Sequence, residues 1–539
     1  MRGTALFFIS MSLAASGFAC GGGSPAGGGT AGSEVRIDLD GGGVAGSGGA
    51  AGSPDGGGID GAAGRGGAGG TFSPVGTGGT TGTGAATGRG GSASARGGAG
   101  GSAGSSGDAG AGGSAGTGGS AGTGGSAGTG GSAGTGGVPV SLRVTRAETL
   151  PQTYAAKLLV AVDSLDTAIV VGPSTANQNE DPGPTVMIIP RSGVTSKTTF
   201  ANAITPDAIA VDLSGNIWMA GQLFRPVSFG AGAVAAVDAG YYLAKLTPDA
   251  RPVFVEAILR VTTPWLRAIA TDPQGNAYVV GSIGDGNVPS NDSVFVTKFA
   301  PNGAEIFNQQ FSSQGSSAWA SDVAIAPDGE VWIVGAHNAT LYVGATTLTV
   351  PARSIDTGFF VALDPATGAA RRAFGFGGDD FDIGNSIEVT RGGALRISGL
   401  LSGAATIGGM TAQAGDLGSP FLAELTAAGV ANRVDIVAPG DGIVFAGDTN
   451  SAGRTFAVGY IADVAKETFV AAFDPGGPLT IALRATIGFD TNGALVAAAD
   501  RHGGVWVVGD FKGSVNFDGN TLLAPSTTAF GNFLIHLEP

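Results

Sequence analysis

From Val138 onward, short apolar runs alternate with clusters of Gly, Asp, Asn, Pro and Ser, and one kind of run recurs, always ending in Gly. Its copies close at Gly172 (Ile169-Val170-Val171), Gly221 (Trp218-Met219-Ala220), Gly281 (Tyr278-Val279-Val280), Gly335 (Trp332-Ile333-Val334), Gly399 (Arg396-Ile397-Ser398), Gly459 (Phe456-Ala457-Val458) and Gly509 (Trp506-Val507-Val508). These seven lie 49, 60, 54, 64, 60 and 50 residues apart, which marks an internal repeat. In the second copy the pattern predicts four strands: Ala208 to Asp212, Ile217 to Gly221, Tyr241 to Leu246 and Val253 to Leu259. Ser214-Gly215-Asn216 makes the tight turn between the first two, with Gly supplying the positive φ.

That turn returns as Asp272-Pro273-Gln274-Gly275-Asn276, Pro327-Asp328-Gly329 and His502-Gly503-Gly504, and third strands return at Phe295, Phe359, Phe421, Phe469 and Phe533. Four antiparallel strands per repeat and seven repeats predict an all-β fold, a seven-bladed β-propeller. The last copy reaches Pro539 one strand short, while Val140 to Thr145 precedes the first copy unassigned. Pairing of the two ends to complete the last blade is therefore expected, which removes an open sheet edge.

The run Ala268 to Gly281, Ala-Ile-Ala-x-Asp-x-x-Gly-Asn-x-Tyr-x-x-Gly, resembles the repeat of the bacterial SBBP family of seven-bladed propellers, and Phe376-Gly377-Gly378-Asp379-Asp380 resembles the element preceding that family's first strand. The resemblance covers roughly 140 to 539. It is good for copies two to four and seven, weaker for five and poor for one and six, where Asp166 and the Asp448 to Arg454 stretch replace the usual turn. It implies a fold and a surface location, with no common catalytic residues.

Composition divides the chain. Of 101 Gly, 2 fall in residues 1–20, 52 in 21–137 and 47 in 138–539. Residues 21–137, ending in four Ser-Ala-Gly-Thr-Gly-Gly hexamers, hold too few large apolar side chains to offset backbone entropy and are expected to be a disordered linker. Its root-mean-square span is about 60 Å. Residues 1–20 carry Arg2, an apolar run from Ala5 to Ala15 and Gly17-Phe18-Ala19-Cys20, the layout of a secretory signal peptide. The last four resemble a bacterial lipobox, which implies lipid attachment at Cys20; Gly17 and Phe18 depart from the family pattern, and Gly17-Phe18-Ala19 also suits ordinary signal peptidase. The chain is expected at the cell envelope, outer membrane or surface of a Gram-negative bacterium, held to a membrane by its lipid, or secreted if unlipidated. A formal net charge of −15 argues against nucleic acid, and a single Cys rules out a disulfide framework or a Cys-rich zinc site.

Candidate chemistry is sparse. Three residues before the repeat Gly, five of seven positions are aromatic, as packing between blades requires. Trp265 and Trp319 each lie seven residues before a matched first-strand position, which places both in loops on one face; Tyr154 and Phe381 fall near the corresponding loops. These four are the candidate ligand-binding residues, for carbohydrate or a protein partner. Asp379, Asp380 and Asp382 lack calcium-loop spacing and read as a solvated loop. His536 shares a third-strand column with Lys245, Lys298, Ala362, Glu424 and Ala472, read as a solvated edge; His337 and His502 complete no metal or triad spacing. No cofactor, metal or catalytic residue is expected. The reading is a monomeric, non-catalytic binding or scaffold module; the alternative is a hydrolase or lyase with its site at the central channel, although inner strands reading Ala-Ile-Ala offer few acid-base groups.

Overall fold

The computed structural model describes residues 141–539 except 151–157, 174–182, 231–232, 235–239, 261–263, 285–291, 463–464, 489–490, 492 and 527–529. The leader, Cys20, the linker and Tyr154 lie outside the described residues.

The described chain is all-β and forms seven four-stranded antiparallel sheets. Sheet one is Leu159–Val162, Ala168–Pro173, Pro184–Ile189 and Ser196–Thr199. Sheet two is Ala208–Val211, Ile217–Gln222, Gly240–Leu246 and Pro252–Leu259, within a residue or two of the predicted bounds. Sheet three is Pro264–Thr271, Ala277–Ile283, Ser293–Phe299 and Glu305–Phe311; sheet four is Ala318–Ile325, Val331–His337, Thr357–Leu363 and Ala370–Phe376. Sheet five is Ile383–Val389, Leu395–Leu401, Ser419–Leu425 and Ala431–Ile436; sheet six is Asp441–Thr449, Thr455–Ala462, Lys466–Phe473 and Leu479–Thr486. Sheet seven takes Ala494–Ala499, Val505–Lys512 and Phe530–Glu538 from the C-terminal end and Arg143–Leu150 from the N-terminal side, the latter pairing antiparallel with Phe530–Glu538. This is the expected end-to-end pairing, starting three residues later than the sequence suggests.

The second and third strands are buried on both faces, which is why they read as continuous apolar runs, whereas the fourth strands mix exposed and buried positions. The apolar core consists of seven clusters. Each lies between consecutive sheets, and one joins sheet seven to sheet one through Leu150, Val160, Met187, Trp506 and Leu534. First strands adjoin in order: each lies against the first strand of the next sheet, and Ala494–Ala499 lies against Leu159–Val162.

The repeat Gly has a cause beyond turn chemistry. In sheets three to seven the first strand bulges opposite it, between Leu266 and Ala268 in sheet three and between Ala320 and Asp322 in sheet four. The bulge pushes a carbonyl into the space a side chain would need: a Cβ on Gly281 or Gly335 would meet the oxygen of Trp265 or Trp319 at 2.0 and 1.9 Å. The poor copies keep the same turn with substitute parts. In sheet one Asp163 Oδ1 accepts from the N–H groups of Leu165 and Thr167 while Asp166 takes φ 60°; in sheet six Asn450 Oδ1 accepts from Ala452 and Arg454 around Gly453.

The connections between second and third strands hold small hairpins in sheets two, four, five and seven: Val227–Ser228 with Ala233–Val234, Thr340–Val343 with Thr346–Leu348, Ala404–Ile407 with Met410–Gln413, and Ser514–Phe517 with Asn520–Leu523. Three bond back to the end of the preceding sheet: Ser228 N–H donates to Asn202 O, Tyr342 N–H to Ser312 O, and Thr406 exchanges both backbone bonds with Gly377.

Candidate functional site

Trp265 and Trp319 do occupy equivalent positions, each paired with the residue just after the repeat Gly, Ser282 and Ala336. They sit within first strands, not in the loops the sequence suggested, because those strands extend back through the bulge to Pro264 and Ala318. Trp265 is 44% exposed; Trp319 is half-buried. Phe381 does not match them. Ile383, paired with Leu400 after Gly399, holds the matching register, and Phe381 lies two residues earlier in an isolated bridge with Asp356.

Between Leu266 and Ala268, Arg267 is the extra, unpaired residue of the bulge. It is half-buried and makes no hydrogen bond or ion pair among the described residues, and its Nε is fully shielded from solvent without an acceptor. Burial pulls the guanidinium below its ordinary pKa, and the opposing charge that it feels is Asp207, just before the first strand of sheet two, whose Oδ2 accepts from Gln222 N–H at 2.9 Å. The sequence reading missed both residues, because nothing in the local pattern marks a bulge.

The His536 column is the opposite of a solvated edge. Lys245, Lys298 and His536 are buried, each against an acid from its sheet's first turn: Lys245 to Asp212 at 3.1 Å, Lys298 to Asp272 at 3.5 Å and His536 Nε2 to Asp500 at 2.9 Å. The aromatics three before the repeat Gly cover these pairs, with Lys245 4.5 Å from the Trp218 ring centre, Lys298 4.8 Å from Tyr278 and His536 stacked on Trp506 at 4.1 Å. Burial opposes the charge on Asp212, but donors from Asn216 and Lys245 outweigh it and hold the carboxyl below its usual range. Both lysines also reach the next sheet, Lys245 donating to Pro301 O and Lys298 to Pro365 O, and Arg372 on the fourth strand of sheet four does the same by donating to Ala427 O. These positions are inter-sheet clasps.

Asp500, His536 and Glu538 form the one His and carboxylate cluster among the described residues with donor atoms close enough for a metal. Asp500 faces Nε2 at 2.9 Å and Glu538 faces Nδ1 at 3.9 Å, so the two carboxylates flank opposite ring nitrogens. Asp382, read as solvated, is fully buried. Its oxygens accept from Gly378 N–H and Ser402 N–H, which commits the carboxylate to holding the backbone.

First strands are also richer in acid than the Ala-Ile-Ala pattern implied. Asp322, Glu388 and Asp448 come from sheets four, five and six, and their charges act on one another. Burial pushes Asp322 and Asp448 up to about 6 and Glu388 well above its ordinary value, the neighbouring acids adding to it. Asp322 Oδ2 accepts from Ser386 Oγ and Ile387 N–H, and Asp448 Oδ2 from Ala499 N–H, so both bridge to the next sheet.

No family model matches the chain, and no curated protein matches it. Among solved structures it is similar to a protein of unknown function from Dyadobacter fermentans, with a TM-score of 0.36 and 13% identity over 74% of this chain and 99% of that one. It is also similar to a protein of unknown function from Bacteroides caccae, with a TM-score of 0.33 and 10% identity over 61% and 93%. Neither likeness carries an argument about function.

Proposed function

We propose that this chain is an exported seven-bladed β-propeller, anchored by lipid at Cys20 to the envelope of a Gram-negative bacterium and held away from it by the Gly-rich linker, acting as a monomeric, non-catalytic binding or scaffold module for carbohydrate or protein. The observation that carries the propeller is the cyclic order of the sheets: seven apolar clusters between consecutive sheets, including one between seven and one. The SBBP-like repeats support it. The export and anchoring reading rests on the leader, the single Cys and the 117-residue spacer that follows. The binding reading rests on Trp265, a large aromatic left half-open on a first strand whose matched positions in sheets five and six are the buried Ile383 and Ile443.

The test is a glycan array and an envelope pull-down with the mature chain. Saturable binding without turnover, abolished in Trp265→Ala/Trp319→Ala, is expected; unchanged binding in that variant would sink the aromatic site. Mass spectrometry of the mature N-terminus should find an acylated Cys20, and a free thiol there refutes the anchor. A hydrolase or lyase at the central channel is the second reading, favoured by the Asp322, Glu388 and Asp448 group. Turnover of any glycan or ester that is lost in Glu388→Gln would establish it.

A further inference from the structure

An unpaired guanidinium, largely removed from water, is costly unless something answers its charge. Arg267 is that group here, and its setting is specific. It projects from a bulge whose neighbours are held in register by Gly281, for which no larger residue fits beneath the Trp265 carbonyl. Every other basic side chain described so far spends its donors: Lys245, Lys298, Arg372 and Arg396 all reach carboxylates and turn carbonyls. Arg267 reaches none, and Asp207, although near enough to be felt, forms no ion pair with it. The two residues precede matched positions, Ala208 and Ala268, on adjoining first strands, and the donors of Arg267 remain unspent.

Two residues before it on the same strand is Trp265, 44% exposed. An indole face suits the C–H face of a pyranose ring, and a guanidinium fork suits a carboxylate, which it binds through two parallel N–H donors. We propose that Trp265 and Arg267 form the binding site for an acidic sugar: a uronate residue whose ring stacks on Trp265 and whose carboxylate takes the place of the missing partner of Arg267. This rests on the carbohydrate-binding reading above and names its ligand class. Asp207 has a role in it, since a carboxylate beside the cation would repel a polyanion that made no direct contact with Arg267, which favours a single well-placed acid over diffuse attraction. The overall charge of −15 acts in the same direction.

The experiment is calorimetric titration of the mature full-length chain with three probes: an oligogalacturonate, the same oligosaccharide fully methyl-esterified, and inorganic phosphate. The acid should bind, the ester should bind about tenfold more weakly or worse, and the acid's affinity should fall as salt rises. Arg267→Gln should lower affinity for the acid to that for the ester while leaving the ester unchanged; Arg267→Lys should recover only part. Trp265→Ala should weaken both. Thermal unfolding of Arg267→Gln serves as the folding control, and its Tm should not fall, because the substitution removes an unpaired charge. Equal affinity for acid and ester, an Arg267→Gln variant that binds the acid like the parent, or no binding of the acid overturns the proposal. Phosphate binding that ignores Trp265→Ala overturns the assignment to a sugar. Should neutral glycans bind and depend on Trp265 and Trp319 but not on Arg267, the acidic ligand fails while the binding-module reading stands.

Discussion

At the scale of single residues, the buried cations of the third strands decide more than their number suggests. Lys245 sits against Asp212, under Trp218, and donates to the turn of sheet three, so one side chain ties two sheets. Replacing it with Met leaves Asp212 buried without its counter-charge. We expect Lys245→Met to cost about 3–5 kcal/mol in urea unfolding, and Asp212→Asn/Lys245→Met to recover a large part, as the removal of both halves of a buried pair usually does. If the double variant is no better than the single one, the donation to Pro301 and not the ion pair carries the energy. The acid group on the first strands behaves in the opposite sense. Asp322 and Asp448, at about 6 in the fold, lie above the roughly 3.9 of an unfolded Asp, so the folded chain binds the additional protons. Their contribution to stability is fully present below about pH 4 and is lost as pH rises through about 6. Glu388 is raised in the same direction by burial and by the neighbouring acids, so keeping it in the fold costs stability at pH 7; Glu388→Gln should raise stability there by about 1–3 kcal/mol and flatten the profile between pH 4 and 7. A lower urea midpoint at pH 7 would show that the Glu388 carboxyl is needed by the fold.

Among elements, the hairpins between second and third strands act as straps. The Ala404–Ile407 strand exchanges bonds with Gly377 at the end of sheet four, and Gly408 O accepts from Ala431 N–H in the outermost strand of sheet five. Ala405, Ile407 and Ala412 are buried beneath it. In sheet six only three residues separate Ala462 from Lys466, too few for such a hairpin, which shows that the strap is dispensable for a sheet to form. Replacing 402–418 with the sheet six connection should therefore leave a folded domain weaker by about 2–4 kcal/mol, mainly from the buried Ile407 and its neighbours. Faster hydrogen exchange should be confined to the ends of sheets four and five, and global unfolding would assign the hairpin a larger role. These straps are hard to see in the sequence because their apolar positions alternate over only four residues among Gly and Thr. The second strands are legible for the contrary reason, being buried on both faces and closed by a Gly that the bulge carbonyl demands. The candidate site divides in the same way. The matched spacing of Trp265 and Trp319 is visible in one dimension, whereas the isolation of Arg267 depends on a bulge and on a neighbour 60 residues away, Asp207.

For the whole molecule, the decisive joint is sheet seven, where distant parts of the chain meet. Arg143–Leu150 lies along Phe530–Glu538, Leu150 enters the cluster shared by sheets seven and one, and Thr145 Oγ1 lies 3.2 Å from His536 Nδ1. The joint to sheet one is tied further by Arg191 to Glu538 at 3.1 Å and by His502 to Asp166 at 2.8 Å. An N-terminal strand that must wait for the last residues of the chain makes the most non-local contact available to the fold, so sheet seven should form late. Deleting 143–150 leaves six sheets with all their strands but exposes the backbone edge of Phe530–Glu538, which is apolar and nine residues long. An edge of that kind recruits another strand. The expected result is a chain that still folds its first six sheets, with slow hydrogen exchange in Val279 and Val334, yet dimerises or aggregates in sedimentation, and is returned to a monomer by a synthetic peptide spanning 143–150. A monomeric, fully protected deletion variant would mean that the N-terminal strand only decorates the last sheet, and the contact of sheet seven with sheet one would then be held by side-chain packing alone.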